Sequence, residues 1–312
     1  MDEFEREYYL QLFKIKIYEL NGQSFEDFFC NIMKANDDSF QKVKAYGNRG
    51  DYSCDGLNLN TDDYYLCYSP EDINKKSTQT NAKEKITNDL NGIVSKWPGI
   101  KNIHYVVNDS FRGLSAPILQ IIKDLKSTLS VSIDVFSMNR LMDIFINLSK
   151  EKIQGIVGYC PNFEPKEAAV ETLDFRIISE IVKYIDENTA DMIFDDNLIA
   201  PDFDEKIEFN KLSETIARKL KESHVYVTRV EQFFDEFTNY NKDTLRNKLI
   251  FIYKKACETI LNDHDGYADE RFYYLFDKIC YKKESKTVVE NCIVILVTFF
   301  ESCDIFEEPV HA

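Results

Sequence analysis

Residues 54–68 read Cys-Asp-Gly-Leu-Asn-Leu-Asn-Thr-Asp-Asp-Tyr-Tyr-Leu-Cys-Tyr. Leu57 and Leu59 alternate with Asn58 and Asn60, and an aromatic and apolar run then covers Tyr64 to Tyr68. Thr61-Asp62-Asp63 is turn chemistry between them, and Ser69-Pro70 closes the second run. The pattern predicts strands over Cys54 to Asn60 and Tyr64 to Tyr68. A third strand is expected just before them, from Phe40 to Tyr46, ending in the glycine-rich turn Gly47-Asn48-Arg49-Gly50.

Upstream of this meander the apolar spacing changes from two to between three and four. Tyr9, Leu12, Phe13 and Ile17 mark a helix from about Glu3 to Glu19, stopped by Asn21-Gly22. Phe25, Phe28, Phe29 and Ile32 mark a second, from Ser24 to about Met33, with Ser24 as its expected N-cap. Downstream, a lysine-rich helix runs from about Asn81 to Lys96 and stops before Pro98. Strand, helix, strand and helix follow over Ile103–Val107, Ser115–Leu125, Val131–Phe136 and Asn139–Leu148. This order predicts an α/β domain over residues 1–160, a mixed sheet flanked by helices. Beyond Gly155, Gly158, Pro161 and Pro165 only helical patterns are legible, such as Ile178/Ile181/Val182/Ile185 and Leu245/Leu249/Ile252/Tyr253/Ala256. An all-α C-terminal domain over 168–312 is expected. Its longest apolar run, Cys292 to Phe300, is broken only by Thr298 and is too short to cross a bilayer, so it reads as a buried helix.

Composition narrows the function classes. The N-terminus is acidic, which does not resemble a signal peptide. The eight cysteines form no Cys-x-x-Cys pair and no zinc spacing, which points to a reducing cytoplasm and buried thiols. The net charge of −16 opposes nucleic-acid binding only in sum. Residues 71–130 hold nine Lys/Arg against six Asp/Glu, a local balance of +3, whereas residues 166–312 hold 19 against 31, a balance of −12. DNA contact therefore belongs to the first domain, and the acidic helical domain suits protein partners.

Hydrolysis of a phosphodiester by a hard cation needs two carboxylates held rigidly together, with a positive side chain beside them. The candidate acids are Glu26, on the second helix, and Asp55, which opens the second strand and is followed by Gly56. Read singly, Glu26 is an exposed helical acid, and Asp51 and Asp55 shape a turn. Read together, on these elements and in this order, they favour a metal site, with Asp51 as an accessory.

Phe25-Glu26-Asp27-Phe28, the Gly47 to Gly56 segment and the Tyr65 to Glu71 segment together resemble the PD-(D/E)XK (restriction-endonuclease-like) nuclease superfamily. The version is similar to the endonuclease subunit of Lamassu-type (ABC-three-component) bacterial anti-phage and anti-plasmid systems. Its N-terminal domain also resembles that of a nuclease effector in cyclic-oligonucleotide immunity. The resemblance implies a DNA endonuclease using Mg²⁺ or Mn²⁺, held by Glu26, Asp55 and the backbone carbonyl of Cys67. It implies restraint by an ATPase subunit of the structural-maintenance-of-chromosomes type and a small accessory subunit, then release and homo-oligomerisation to switch cutting on. The third strand departs from the pattern, because Leu66 and Tyr68 stand where the superfamily offers an acid and a lysine. Related nucleases move that lysine to the following helix, where Lys85, aligned with Asp89 and Gly92, is preferred and Lys83 is the alternative; Tyr68 stays an accessory. A catalytically silent scaffold in the same assembly is the second reading, kept by Leu66 and Tyr68. Asn108-Asp109 before Gly113 is a candidate substrate loop, Asp263-His264-Asp265-Gly266 reads as a turn between helices, and the four histidines are scattered.

Overall fold

Asp2 starts the first helix by accepting a hydrogen bond from the Glu5 N–H at 2.7 Å, while the Glu5 carboxylate accepts from the Asp2 N–H at 3.2 Å. The structure, a computed structural model, describes residues 1–44, 51–70, 76–161, 174–194, 202–302 and 305–307, with backbone alone at 3–4 and 76–82. The Gly47–Gly50 turn, Glu71 and Pro165 lie outside the described residues. Helix α1 spans Glu3–Glu19 and α2 spans Gly22–Asn36. The cap of α2 is Asn21, not Ser24; Ser24 sits three residues further on, where its hydroxyl oxygen accepts from the Asn21 N–H at 3.3 Å.

Five strands follow, β1 (Phe40–Lys42), β2 (Gly56–Asn58), β3 (Asp63–Tyr68), β4 (Asn102–Val107) and β5 (Ser132–Phe136). They lie side by side in chain order, with β1, β2 and β3 antiparallel and β3, β4 and β5 parallel. The first two strands are shorter than alternation predicts. Phe40 lays its ring on Gly56 so closely that a Cβ there would sit 2.3 Å from the ring, and beyond that contact the ladder dwindles to a single Val43 N–H to Asp55 carbonyl bond of 2.9 Å.

Helices cover both faces of the sheet. On one, Leu66, Tyr68, Ile103, Tyr105, Val107 and Ile133 pack against Ile86, Leu90 and Ile93 of α3 (Lys76–Lys96) and Ile118 and Ile122 of α4 (Ala116–Leu129). The other face carries an aromatic core in which the Phe29 ring of α2 lies 5.6 Å from Tyr65, 5.6 Å from Phe136 and 6.1 Å from Phe40. Helices α5 (Met138–Ile146) and α6 (Lys150–Val157) pack against α1 and α2. The sequence reading missed α6, because Gly155 lies inside it and Gly158 ends it with a positive φ of 89°.

Residues Met1–Gly158 form one compact unit and Tyr159–Ala312 another. Every element described in the second is a helix: α7 (Phe175–Asn188), α8 (Phe203–Phe209), α9 (Glu214–His224), α10 (Val227–Glu236), α11 (Lys242–Thr259), α12 (Tyr267–Ile279) and α13 (Lys286–Glu301). From Cys292 to Phe300, α13 is buried at every residue, so it is apolar on all sides. It contacts α7, α9, α10 and α12 and forms the core of this unit. No helix among the described residues is long and apolar enough to cross a membrane.

Candidate active site

Strand β3 outruns β2. Their pairing ends at Gly56 opposite Tyr65, and one further bond joins the Asp55 N–H to the Tyr65 carbonyl at 2.9 Å. Past that point the Asp55 carboxylate takes over the role of a neighbouring strand, since its Oδ2 accepts the Cys67 N–H at 2.6 Å. N–H and C=O of one strand residue point the same way, so the Cys67 carbonyl is directed to the same side. A cavity of about 390 Å³ opens there. Glu26 from α2, Asp51 and Asp55 from the turn before β2, and Cys67 and Tyr68 from β3 line it, and α3 adds Lys85 and Asp89.

The glycines keep this corner tight. Besides Gly56 under Phe40, Gly92 on α3 leaves room for Ser53, whose Oγ would stand 2.7 Å from a Cβ on that helix. Lys96 donates to the same Ser53 oxygen at 3.3 Å. Helix α3 is thereby drawn against the turn that carries Asp51 and Asp55.

The charges in the cavity are unevenly compensated. Burial pushes the Asp55 carboxyl up to about 7; the Cys67 N–H pulls it back, and the negative charges of Glu26, Asp51 and Asp89 push it further. Glu26 is held differently, by Lys42 of β1, whose Nζ lies 3.0 Å from Glu26 Oε1 and also pairs with Asp27. Burial works against the charged Lys42, but the hydrogen bonds to Asp27 and Glu26 outweigh it and raise its pKa. The Lys85 ammonium lies 3.0 Å from Asp89 Oδ2 and 6.0 Å from the centre of the Tyr68 ring.

Of the residues singled out from sequence, Glu26, Asp55, Lys85, Cys67, Asp51 and Tyr68 thus share one cavity. Lys83 does not line it; it is exposed, two residues before Lys85, on another side of α3. Leu66 and Tyr68 face the α3 layer as core residues, which explains why β3 carries neither acid nor lysine at these positions. Two neighbours went unseen in the sequence. Lys42 meets Glu26 only because β1 packs beside α2, and Asp89 was read as a mere spacing mark on the α3 face.

The substrate-loop reading of Asn108 and Asp109 is corrected. Asn108 Nδ2 donates to the Ile17 carbonyl at 2.8 Å and the Ser69 hydroxyl at 3.0 Å, and Asp109 accepts from the N–H groups of Phe111 and Gly113. Both are buried, neither lines the cavity, and they tie the end of β4 to α1 and to its own turn. His104 is also away from the cavity, stacked on Tyr65 at 4.8 Å between Asp63 and Asp134. The Cys30 and Cys54 thiols are pushed up to about 12 by burial, which makes them inert packing groups.

Among the described residues, no three or more His, Cys, Asp or Glu side chains are grouped to hold a metal by themselves. Magnesium asks for less, commonly one or two carboxylates with water and substrate oxygens completing six ligands. Glu26, Asp55 and Cys67 line one cavity, which brings two carboxylates to the strand that carries the Cys67 carbonyl. A carboxyl raised by burial and by like charges is also one whose ionised form a divalent cation would favour.

Residues 176–307, less than half of the chain, match the family model of C-terminal domain 10 of the ABC-three component (ABC-3C) systems. The match supports membership in an ABC-3C system. It falls wholly within the helical second unit, and so bears on the α/β unit and its cavity only through the chain they share. Neither the curated proteins nor the solved structures give a match.

Proposed function

We propose that the first unit is a restriction-endonuclease-like domain that hydrolyses DNA with Mg²⁺ or Mn²⁺, as the effector of an ABC-3C defence complex. The observation that carries this reading is the meeting of Glu26, Asp55 and Lys85, distant in sequence, around one cavity at the open edge of β3. When bound, the cation would supply charge that polarises the scissile phosphate and lowers the pKa of the attacking water. Glu26, Asp55 and the Cys67 carbonyl would hold it. Lys85, a cation on the cavity wall, faces charge that develops on the phosphate. Lys96, Lys101, Lys123 and Lys126 are exposed, and the positive balance of residues 71–130 would give the duplex basic contacts that the acidic second unit lacks.

A nuclease free to cut would damage its own host, so it needs restraint. The ABC-3C match supports partner subunits as the restraint. We assign that role to an ATPase of the structural-maintenance-of-chromosomes type with a small accessory subunit, and cutting to the released, self-associated chain. The cytoplasm is the expected compartment. A catalytically silent scaffold is favoured by one observation, the placement of Leu66 and Tyr68 in the core where an acid and a lysine are expected.

The test uses the full chain on supercoiled plasmid, over a range of protein concentrations, with Mg²⁺, Mn²⁺ or chelator. The expected result is metal-dependent nicking or linearisation, lost in Glu26→Gln, Asp55→Asn and Lys85→Ala. Cutting that persists in Asp55→Asn would show that another site acts, and silence at every concentration, with partner subunits as well as alone, would favour the scaffold.

A further inference from the structure

The helix that carries Lys85 carries its partner one turn later. We propose that Asp89 is the positioning residue of this site: it holds the Lys85 ammonium against the cavity wall, so that lysine and aspartate on α3 together replace the lysine that β3 lacks. The proposal rests on the hydrolytic reading of the cavity.

Three observations bear on it. The first is geometric: Lys85 Nζ and Asp89 Oδ2 are 3.0 Å apart, and both side chains line the cavity. The second is the contrast in mobility that exposure implies. The Lys85 side chain is 50% exposed and would sweep many rotamers if untethered, whereas that of Asp89 is 23% exposed and is the better-held partner. The third is the platform beneath. Tyr68 offers its ring face to the ammonium at 6.0 Å, so the lysine rests between a carboxylate and an aromatic on the strand position where the superfamily pattern has its own lysine.

Helix stability does not account for the pair. Lysine preceding an acid by four residues is the weaker of the two orientations, and exposed pairs contribute little to folding. Asp89 also lines the cavity with Glu26, Asp51 and Asp55, so an acid at this position adds to a cluster of like charges. An acid kept near a like charge, for a helix that gains little from it, is explained by the lysine it fixes. Nor does Asp89 need to be a metal ligand. Its Oδ2 is committed to the ammonium, and Glu26, Asp55 and the Cys67 carbonyl already provide a sufficient set.

Two measurements on the full chain separate this proposal from the reading beneath it. The first is the acetylation rate of individual lysines, read by mass spectrometry. Lys85 should react more slowly than exposed Lys83 in the wild type, and Asp89→Asn should erase the difference. The second is plasmid cleavage. Asp89→Asn should lower the turnover on the order of 10- to 100-fold, the range usual for a group that orients a reacting side chain. The metal concentration for half-maximal rate should stay unchanged. Asp89→Glu should restore part of the rate, and Lys85→Ala/Asp89→Asn should be no slower than Lys85→Ala alone. Unaltered Lys85 reactivity in Asp89→Asn overturns the proposal, as does a raised metal requirement or a double variant much slower than Lys85→Ala, which would make Asp89 a ligand. A wild-type chain that cuts nothing at any concentration, with partner subunits as well as alone, overturns the hydrolytic reading, while the acetylation result still decides whether Asp89 holds Lys85.

Discussion

The two units treat charge in opposite ways. In the helical unit the two most buried lysines among the described residues, Lys206 and Lys248, are satisfied where they lie. Lys206, 1% exposed, donates to the carbonyls of Phe300 at 2.7 Å and Ile305 at 2.8 Å, closing the open end of α13. Lys248 donates to the carbonyls of Asp186 and Thr189, both at 2.9 Å, with the carboxylates of Asp186 and Asp191 beside it. In the α/β unit Asp55, a partly buried acid of the cavity, accepts one backbone hydrogen bond and sits among three like charges. Satisfied buried charge holds a fold together, while buried charge left in conflict marks a place where something else is meant to bind.

Substitutions can break that contrast. The largest effect should come from Asp55→Asn, which keeps the side-chain shape and the acceptor for Cys67 but removes the negative charge. Its plasmid cleavage should fall about 100-fold or more, while its thermal midpoint without metal stays at or above that of the wild type. A fall in both together would make Asp55 a structural residue like those of the helical unit. Next is Lys206→Met, which leaves two buried carbonyls without a donor. It should destabilise the second unit by about 2–4 kcal/mol in denaturant unfolding, with metal binding by the first unit unaffected. A neutral outcome would remove the satisfied half of the contrast.

Lys219 sharpens the picture, because burial lowers its ammonium from 10.5 to about 8. The folded chain therefore holds this proton less tightly than the unfolded one. The penalty is full below about pH 8 and fades as pH rises toward 10.5. Lys219→Met should raise the thermal midpoint at pH 7, with the gain shrinking across that window, and a gain that grows with pH would reverse the assignment. The smallest effect belongs to Lys85→Met, whose half-exposed ion pair should contribute less than about 0.5 kcal/mol to stability, while the proposed cleavage should be lost.

Much of this arrangement was legible because it is local. Periodicity gave α1, the strands β3, β4 and β5, and the buried run of α13, each dictated by its own side chains. The misses are tertiary. Phe40 of β1 closes its ring over Gly56, a contact between residues far apart along the chain that alternation does not reveal. Asn21 caps α2 in place of Ser24, and Gly155 inside α6 hid a helix that its packing against α1 and α2 sustains. That Glu26 and Asp55 meet at one cavity could be anticipated from residue type and order. The Lys42 and Asp89 partners could not, since each depends on one element lying across another. The empty positions Leu66 and Tyr68 were the most informative departure, because they directed attention to α3 for the missing cation.

The central claim is that Glu26 and Asp55 hold one hard cation between them, and Mn²⁺ titration of the full chain followed by electron paramagnetic resonance tests it without requiring turnover. The account predicts a saturable Mn²⁺ site in the wild type, competed by Mg²⁺, whose affinity drops at least about tenfold in both Glu26→Gln and Asp55→Asn. Wild-type binding that survives both substitutions intact would contradict it.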